Sequence, residues 1–195
     1  MNKYSTFLLG IATVWWVGCQ SNLSQSDYID WVQDYDNDLR AHKKVGDYFF
    51  DLQYQPPEYL QLLRQYNGEA TEKSPSSTVA DDLQYYKLEI GMSDGATDFI
   101  NYGIESMADK QRKIYYLSYT FQNDIYLREA EETLPCILFH FERSIDLKSG
   151  RTFMLAFENK FKGNQEAQLI IDSPLFGGVP IKIKVSKTNI PNLEV

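Results

Sequence analysis

The chain of 195 residues carries 27 Asp and Glu against 19 Lys and Arg, a formal net charge of −8, with only two cysteines and two histidines. That acidic balance argues against nucleic acid as a partner, because such recognition rests on a basic footprint. It argues equally against attraction to anionic lipid through charge, and two histidines without a Cys-x-x-Cys leave only scattered carboxylates to hold a metal.

Chain order begins with FLLGIATVWWV, Phe7 to Val17, eleven residues. A membrane-spanning helix needs about 20 apolar residues to cross roughly 30 Å of hydrocarbon, so this stretch is too short. Lys3 precedes it, and Gly18, Cys19 and a polar run follow, the layout of an export signal. Ordinary signal peptidase cutting before Cys19 would meet the bulky Trp16 at −3, where a small residue is needed. WVGC resembles instead the lipobox of bacterial lipoproteins, although Trp16 stands where an aliphatic residue is usual. The resemblance implies a signal peptide over residues 1–18, acylation of Cys19 as the new N-terminus, and the membrane as a partner through that lipid. Several acyl chains hold firmly where one binds reversibly. The processed chain then keeps Cys136 as its only thiol, so no internal disulfide forms, and has 18 basic against 27 acidic side chains, net −9. Residues 19–26, closing on the polar QSNLSQS, read as a tether. Residues 27–195 read as a single globular domain, long enough to bury its own core.

Within that domain YIDWVQDYDNDL, Tyr28 to Leu39, reads as a short helix or turn with Ile29, Trp31 and Val32 turned inward. In DYFFDLQYQ the residues Tyr48, Phe50, Leu52 and Tyr54 share one face, which predicts a half-buried strand. It stops at Pro56–Pro57, and the second proline suits the first turn of a helix, where its missing N–H is unpaired anyway. Tyr59, Leu62, Leu63 and Tyr66 follow the i, i+3, i+4, i+7 rule, and Gly68 sits where a helix end takes a left-handed residue. Glu69 to Thr78 is a polar loop, and LQYYKLEI, Leu83 to Ile90, a second strand. Between Asp98 and Phe121 the spacing of Ile100, Ile104, Met107, Ile114, Leu117 and Phe121 predicts a helix of about six turns, capped by Thr97 and weakened at Gly103. A hairpin follows, with strands near 124–129 and 134–143. Three further strands lie at RTFMLAFE, AQLIID and PIKIKVS; in the last, Ile181, Ile183 and Val185 face in while Lys182 and Lys184 face out. About seven strands, two main helices and no regular βαβ alternation predict an α+β fold. Its expected form is a twisted antiparallel sheet, single or folded into a sandwich, with the helices packed on one side.

LPCILFHFER gathers Cys136, His140, Glu142 and Arg143, and a continuous strand would put Cys136, Leu138, His140 and Glu142 on one face. A Cys–His nucleophile pair needs its members about 3 Å apart, whereas four positions along a strand span roughly 13 Å. The expectation is a small buried Cys136 beside a polar His140–Glu142 pair. DYDND, Asp34 to Asp38, opens like a calcium loop but has Leu39 where glycine is needed and Val45 where glutamate is needed, so a solvated acidic turn is expected. There is no Gly-x-Ser-x-Gly, phosphate-cradling loop or Gly-x-Gly-x-x-Gly, and no catalytic residue, metal site or cofactor is assigned. Tyrosine is abundant, at fourteen. Pairs occur at Tyr85–Tyr86 and Tyr115–Tyr116; in a pair on one strand, as Tyr85–Tyr86 is, one ring is expected in the core and the other in solvent, where rings stack on sugars or anchor a protein.

FFDLQYQPPEYLQLL, YLSYTFQNDIYL and TLPCILFHFERS resemble the uncharacterised small lipoproteins of Bacteroidetes, over roughly Trp31 to Pro191. The resemblance implies one compact domain behind a lipidated cysteine; it maps only Cys19 onto a functional position and carries over no catalytic residue. The expected function is therefore that of a lipid-anchored cell-envelope lipoprotein, at the outer membrane and facing the periplasm or the surface. It would act as a non-enzymatic interaction or accessory module with an envelope protein partner. The alternative is a binding module for glycan or peptide using exposed tyrosines, and behind it a hydrolase or thiol enzyme built on Cys136 or His140.

Overall fold

The structure, a computed structural model, describes residues 22–68, 82–142, 149–161, 163 and 166–194. Cys19, the signal segment and the polar loop at Glu69 to Thr78 lie outside the described residues. β1 (Asn22–Leu23) leads into α1 (Gln25–Gln33), whose first turn is capped by Ser24 accepting from the Asp27 amide. Asn22 to Ser26, expected as tether, thus belong to the folded body: β1 pairs in parallel with β11 (Asn192–Leu193).

Alternation of apolar residues writes most of the remaining strands. One antiparallel sheet has the order β2-β3-β4-β8-β7, formed by Arg40–Val45, Tyr48–Gln55, Leu83–Met92, Arg151–Glu158 and Leu138–Glu142. The second has the order β10-β9-β5-β6, formed by Ile181–Ser186, Glu166–Ile171, Ile125–Glu129 and Glu132–Pro135. The fold is α+β, as its pattern of elements predicts. Phe50, Leu52, Leu88, Phe153 and Leu155 from the first sheet meet Leu127, Leu169, Ile183 and Val185 from the second in one buried cluster. Each such fully buried side chain contributes roughly 1.5–3 kcal/mol.

The expected single strand over 134–143 is two. Pro135 has no N–H to donate, the chain bends at Cys136 and Ile137, and the Ile137 amide donates to Ala156 O at 2.8 Å. β6 pairs with β5 and β7 with β8, so this bend carries the chain from one sheet to the other. At the opposite edges β2 approaches β10 without a ladder. The Ser186 amide donates to Asp38 O at 2.8 Å and Lys43 Nζ donates to Lys182 O at 3.0 Å. β2 escaped the sequence reading because RAHKKV has no apolar alternation. Lysines on an edge strand resist pairing with a second chain, and Lys44, Lys182 and Lys184 are exposed on these two edges.

The helices divide between the two ends of β3. α1 and α2 (Pro57–Tyr66) pack around Tyr28, Val32, Leu39, Tyr59 and Leu62 beside Tyr54, with Pro57 at the helix start and Gly68 at φ 72° just beyond its end. α3 (Met107–Tyr115) lies at the Tyr48 end. It replaces the six-turn helix expected over 98–121. Asp98 caps a turn by accepting from the Asn101 amide at 2.9 Å, and Gly103 takes φ 70°. The helix starts at Ser106, not Thr97, because Ser106 Oγ accepts from the Asp109 amide at 3.2 Å. Phe99 and Ile100, read as helical, enter the core from the turn instead. After α3 comes a π-turn at Tyr116–Thr120 and a 3-10 turn at Phe121–Asp124.

One polar network is sealed inside the Tyr54 end. Glu129 follows Ile125 and Leu127 on the inward face of β5, and its side chain is 0% exposed. Its carboxylate pairs with the Lys187 ammonium, 9% exposed, and accepts from Gln84 Nε2 at 2.7 Å. Gln84 Oε1 in turn accepts from Tyr86 OH at 2.8 Å and from Lys187 at 3.1 Å.

Candidate functional site

The α3 end of the sandwich is built from rings. Tyr48, at the start of β3, meets Phe176, Tyr102 and Phe99 edge-on at centroid distances of 5.0, 5.7 and 6.2 Å. Phe176 is delivered by a 3-10 turn at Pro174–Phe176, where Ser173 Oγ accepts from the Leu175 amide. Edge-to-face pairs of this kind contribute about 0.5–1.5 kcal/mol beyond their buried area, and together they form the floor of the cleft. Above it opens a cleft of about 370 Å³ walled by Tyr48, Tyr102, Ile104, Tyr116 and Leu175. Pockets of this kind, mainly apolar with a few convergent polar groups, are the usual form of a binding site.

Two cations come from α3. Lys113 is buried and donates to Phe99 O at 2.6 Å and Tyr102 O at 3.1 Å, its ammonium 4.7 Å from the Phe99 ring centroid. Burial lowers its pKa to about 8, with the Asp98 carboxylate opposing. Those bonds hold the 99–103 turn against the helix and leave Lys113 structurally occupied. Arg112 stands exposed at the rim, paired with Asp109. The Tyr116 hydroxyl donates to the Asp124 carboxylate and meets Ser173 Oγ, and burial together with the Asp124 charge raises its pKa. Outside the cleft Tyr115 and Tyr119 are 64% and 63% exposed, their ring centroids 5.1 Å apart.

The strand pair follows its expectation only in part, since neither ring reaches open solvent. Tyr86 is fully buried where Tyr85 is half-buried, and Tyr115 is exposed where Tyr116 turns inward. Cys136 sits in the bend between the sheets at 7% exposure, and burial pushes its thiol up to about 12. The break moves it off the face it was expected to share: Leu138, His140 and Glu142 all point outward from β7 and are exposed. His42 is on β2, stacked on Phe49 at 5.8 Å, four strand spacings or roughly 19 Å from β7. The structure therefore brings neither histidine to Cys136. Asp34 of the acidic run caps a 3-10 turn at Tyr35–Asn37. Among the described residues no group of three or more His, Cys, Asp or Glu could hold a metal, and no helix is long and apolar enough to cross a membrane.

Sequence reading missed Lys113 and Tyr102. The signal that finds them is Ser106-x-x-Asp109, a helix-start pattern: beginning the helix there releases 99–104 as a turn over the cleft. No family model matches the chain, and comparison with curated proteins and with solved structures finds no match.

Proposed function

We propose that this chain is a lipid-anchored lipoprotein of the cell envelope that serves as a non-enzymatic interaction module. Cys19 carries the anchor, and the ring-lined cleft with its flanking Tyr115–Tyr119 pair receives a protein partner. The observation that carries the reading is polarity. The described chain enters through β1 and α1 at the Tyr54 end of β3, while the cleft lies at the Tyr48 end. Six residues of strand put about 20 Å between those ends. A chain fastened through Cys19 thus holds the cleft on the side away from its bilayer.

Aromatic side chains dominate the energetics of protein interfaces, and two exposed rings beside an apolar cleft with one arginine at its rim supply that chemistry. The lipid, in this reading, replaces any electrostatic attachment, in keeping with the acidic composition. Palmitate labelling and detergent-phase partitioning test the anchor: the wild type is labelled and partitions with detergent, Cys19→Ser does neither. Equal behaviour of the two proteins refutes it. A photo-cross-linker placed at Tyr115 in cells then captures a discrete partner that the same group at exposed Lys160 does not; identical patterns remove the cleft pole from the proposal.

A further inference from the structure

The other end of β3 holds a second opening of different chemistry. It is a cleft of about 680 Å³ between α2, the Tyr54 end of β3 and the segment Ile190–Glu194. Hydrogen-bonding groups converge on it from separate elements. Glu58, Gln61 and Gln65 come from one face of α2, Asn192 from β11, and Tyr28 and Tyr54 from beneath. The spacing of the three α2 residues, i, i+3 and i+7, is that of a single helix face. Among the described residues no Lys, Arg or His lines the cleft.

Two observations show hydrogen-bonding capacity left open there. Tyr28 is 1% exposed, and its hydroxyl has no hydrogen-bond partner among the described residues. An unpaired buried group of this kind is destabilising until a partner reaches it. Burial raises the pKa of its phenol, and the charges of Glu58 and Tyr54, both residues of the cleft wall, raise it further. The α2 N-terminus is capped by Pro56 with no side-chain hydrogen bond.

We infer that this cleft binds a neutral saccharide. Two carboxylates without a base reject phosphate and carboxylate ligands. Side-chain amides, carboxylates and phenols each accept or donate to vicinal hydroxyls, and the half-buried Tyr54 ring offers an apolar face to the sugar C–H groups. The cleft's volume falls in the range of about 300–1,000 Å³ usual for small-molecule sites. The site is separate from the ring-lined cleft at the α3 end and stands whether or not that cleft takes a protein.

The experiment titrates the full-length chain in detergent with maltotriose and with N,N′-diacetylchitobiose, following amide NMR shifts, with trilysine as the comparison. At least one sugar should give saturable shifts confined to residues 57–66 and 190–194. Gln61→Ala/Gln65→Ala, both exposed positions on a helix, should weaken that binding at least about tenfold, equal to 1.4 kcal/mol, with an unchanged unfolding midpoint. Tyr28→Phe should weaken binding without lowering stability. Absence of saturable shifts with either sugar overturns the inference. So does sugar binding that the α2 double variant leaves unchanged, or saturation by trilysine alone, which would make the cleft a cation site.

Discussion

Lys187→Met is the sharpest test of the internal energetics. Glu129 is fully sealed from solvent and has both carboxylate oxygens engaged, one by Lys187 and one by Gln84. Removing the ammonium leaves a buried carboxylate with a single neutral donor, and breaking such a pair by deleting one partner costs about 3–5 kcal/mol. A domain of this kind has about 5–15 kcal/mol in total. With a urea dependence of about 2 kcal/mol per molar, the unfolding midpoint should fall by roughly 1.5–2.5 M. Trp31 fluorescence reports the transition. The double variant Lys187→Met/Glu129→Leu removes both charges, and burying apolar groups in their place is often neutral or stabilising. It should recover most of the loss, leaving a coupling of more than about 1 kcal/mol in the double-mutant cycle. Additive losses, or a single variant costing under about 1 kcal/mol, would refute the assignment of this pair as a desolvated unit.

The Cys136 thiol, buried and held up to about 12, should stay unreactive to a disulfide reagent at pH 8 in the folded protein and react at once in urea; rapid native labelling contradicts its burial. Lys113 has its pKa lowered to about 8 from the ordinary 10.5, so between those values the unfolded chain binds more protons than the folded one. Its contribution to stability therefore rises with pH across that window, and the wild type minus Lys113→Met difference should rise there; a flat or falling difference contradicts it. Cys136 and the buried tyrosines, whose pKa values are raised, act in the opposite sense above about pH 9, which is why the difference between the two proteins is the quantity to read. Finally, Lys182→Val/Lys184→Val places apolar side chains on the outer face of an edge strand and should produce concentration-dependent aggregation by light scattering; a monodisperse variant would show that these lysines do not guard the seam.

Local signals in the sequence carried a good part of this architecture. The β3–proline–α2 unit and the inward Ile181, Ile183 and Val185 of β10 follow from alternation, from a proline that has no N–H to lose and from a glycine with positive φ. Each is written in one continuous stretch of the chain, so no distant partner was needed to read it. The long helix over 98–121 failed for a related reason. Apolar spacing alone cannot tell a helix face from a turn that buries the same residues, and the decisive Ser106 cap was a weaker signal than the six apolar positions.

What only the tertiary structure decided depends on residues far apart in the chain. β2 is a strand because β3 offers it a ladder, not because RAHKKV alternates. Cys136 left its expected face because Ala156, twenty positions on, accepts from the amide beside it and bends the chain between sheets. Glu129 and Lys187 meet across 58 residues, and Tyr48 reaches Phe99, Tyr102 and Phe176 only once both sheets have closed. Residue type sets what each side chain can do in water or in apolar surroundings; which surroundings it receives is set by the packing of the whole chain, and both clefts exist only at that level.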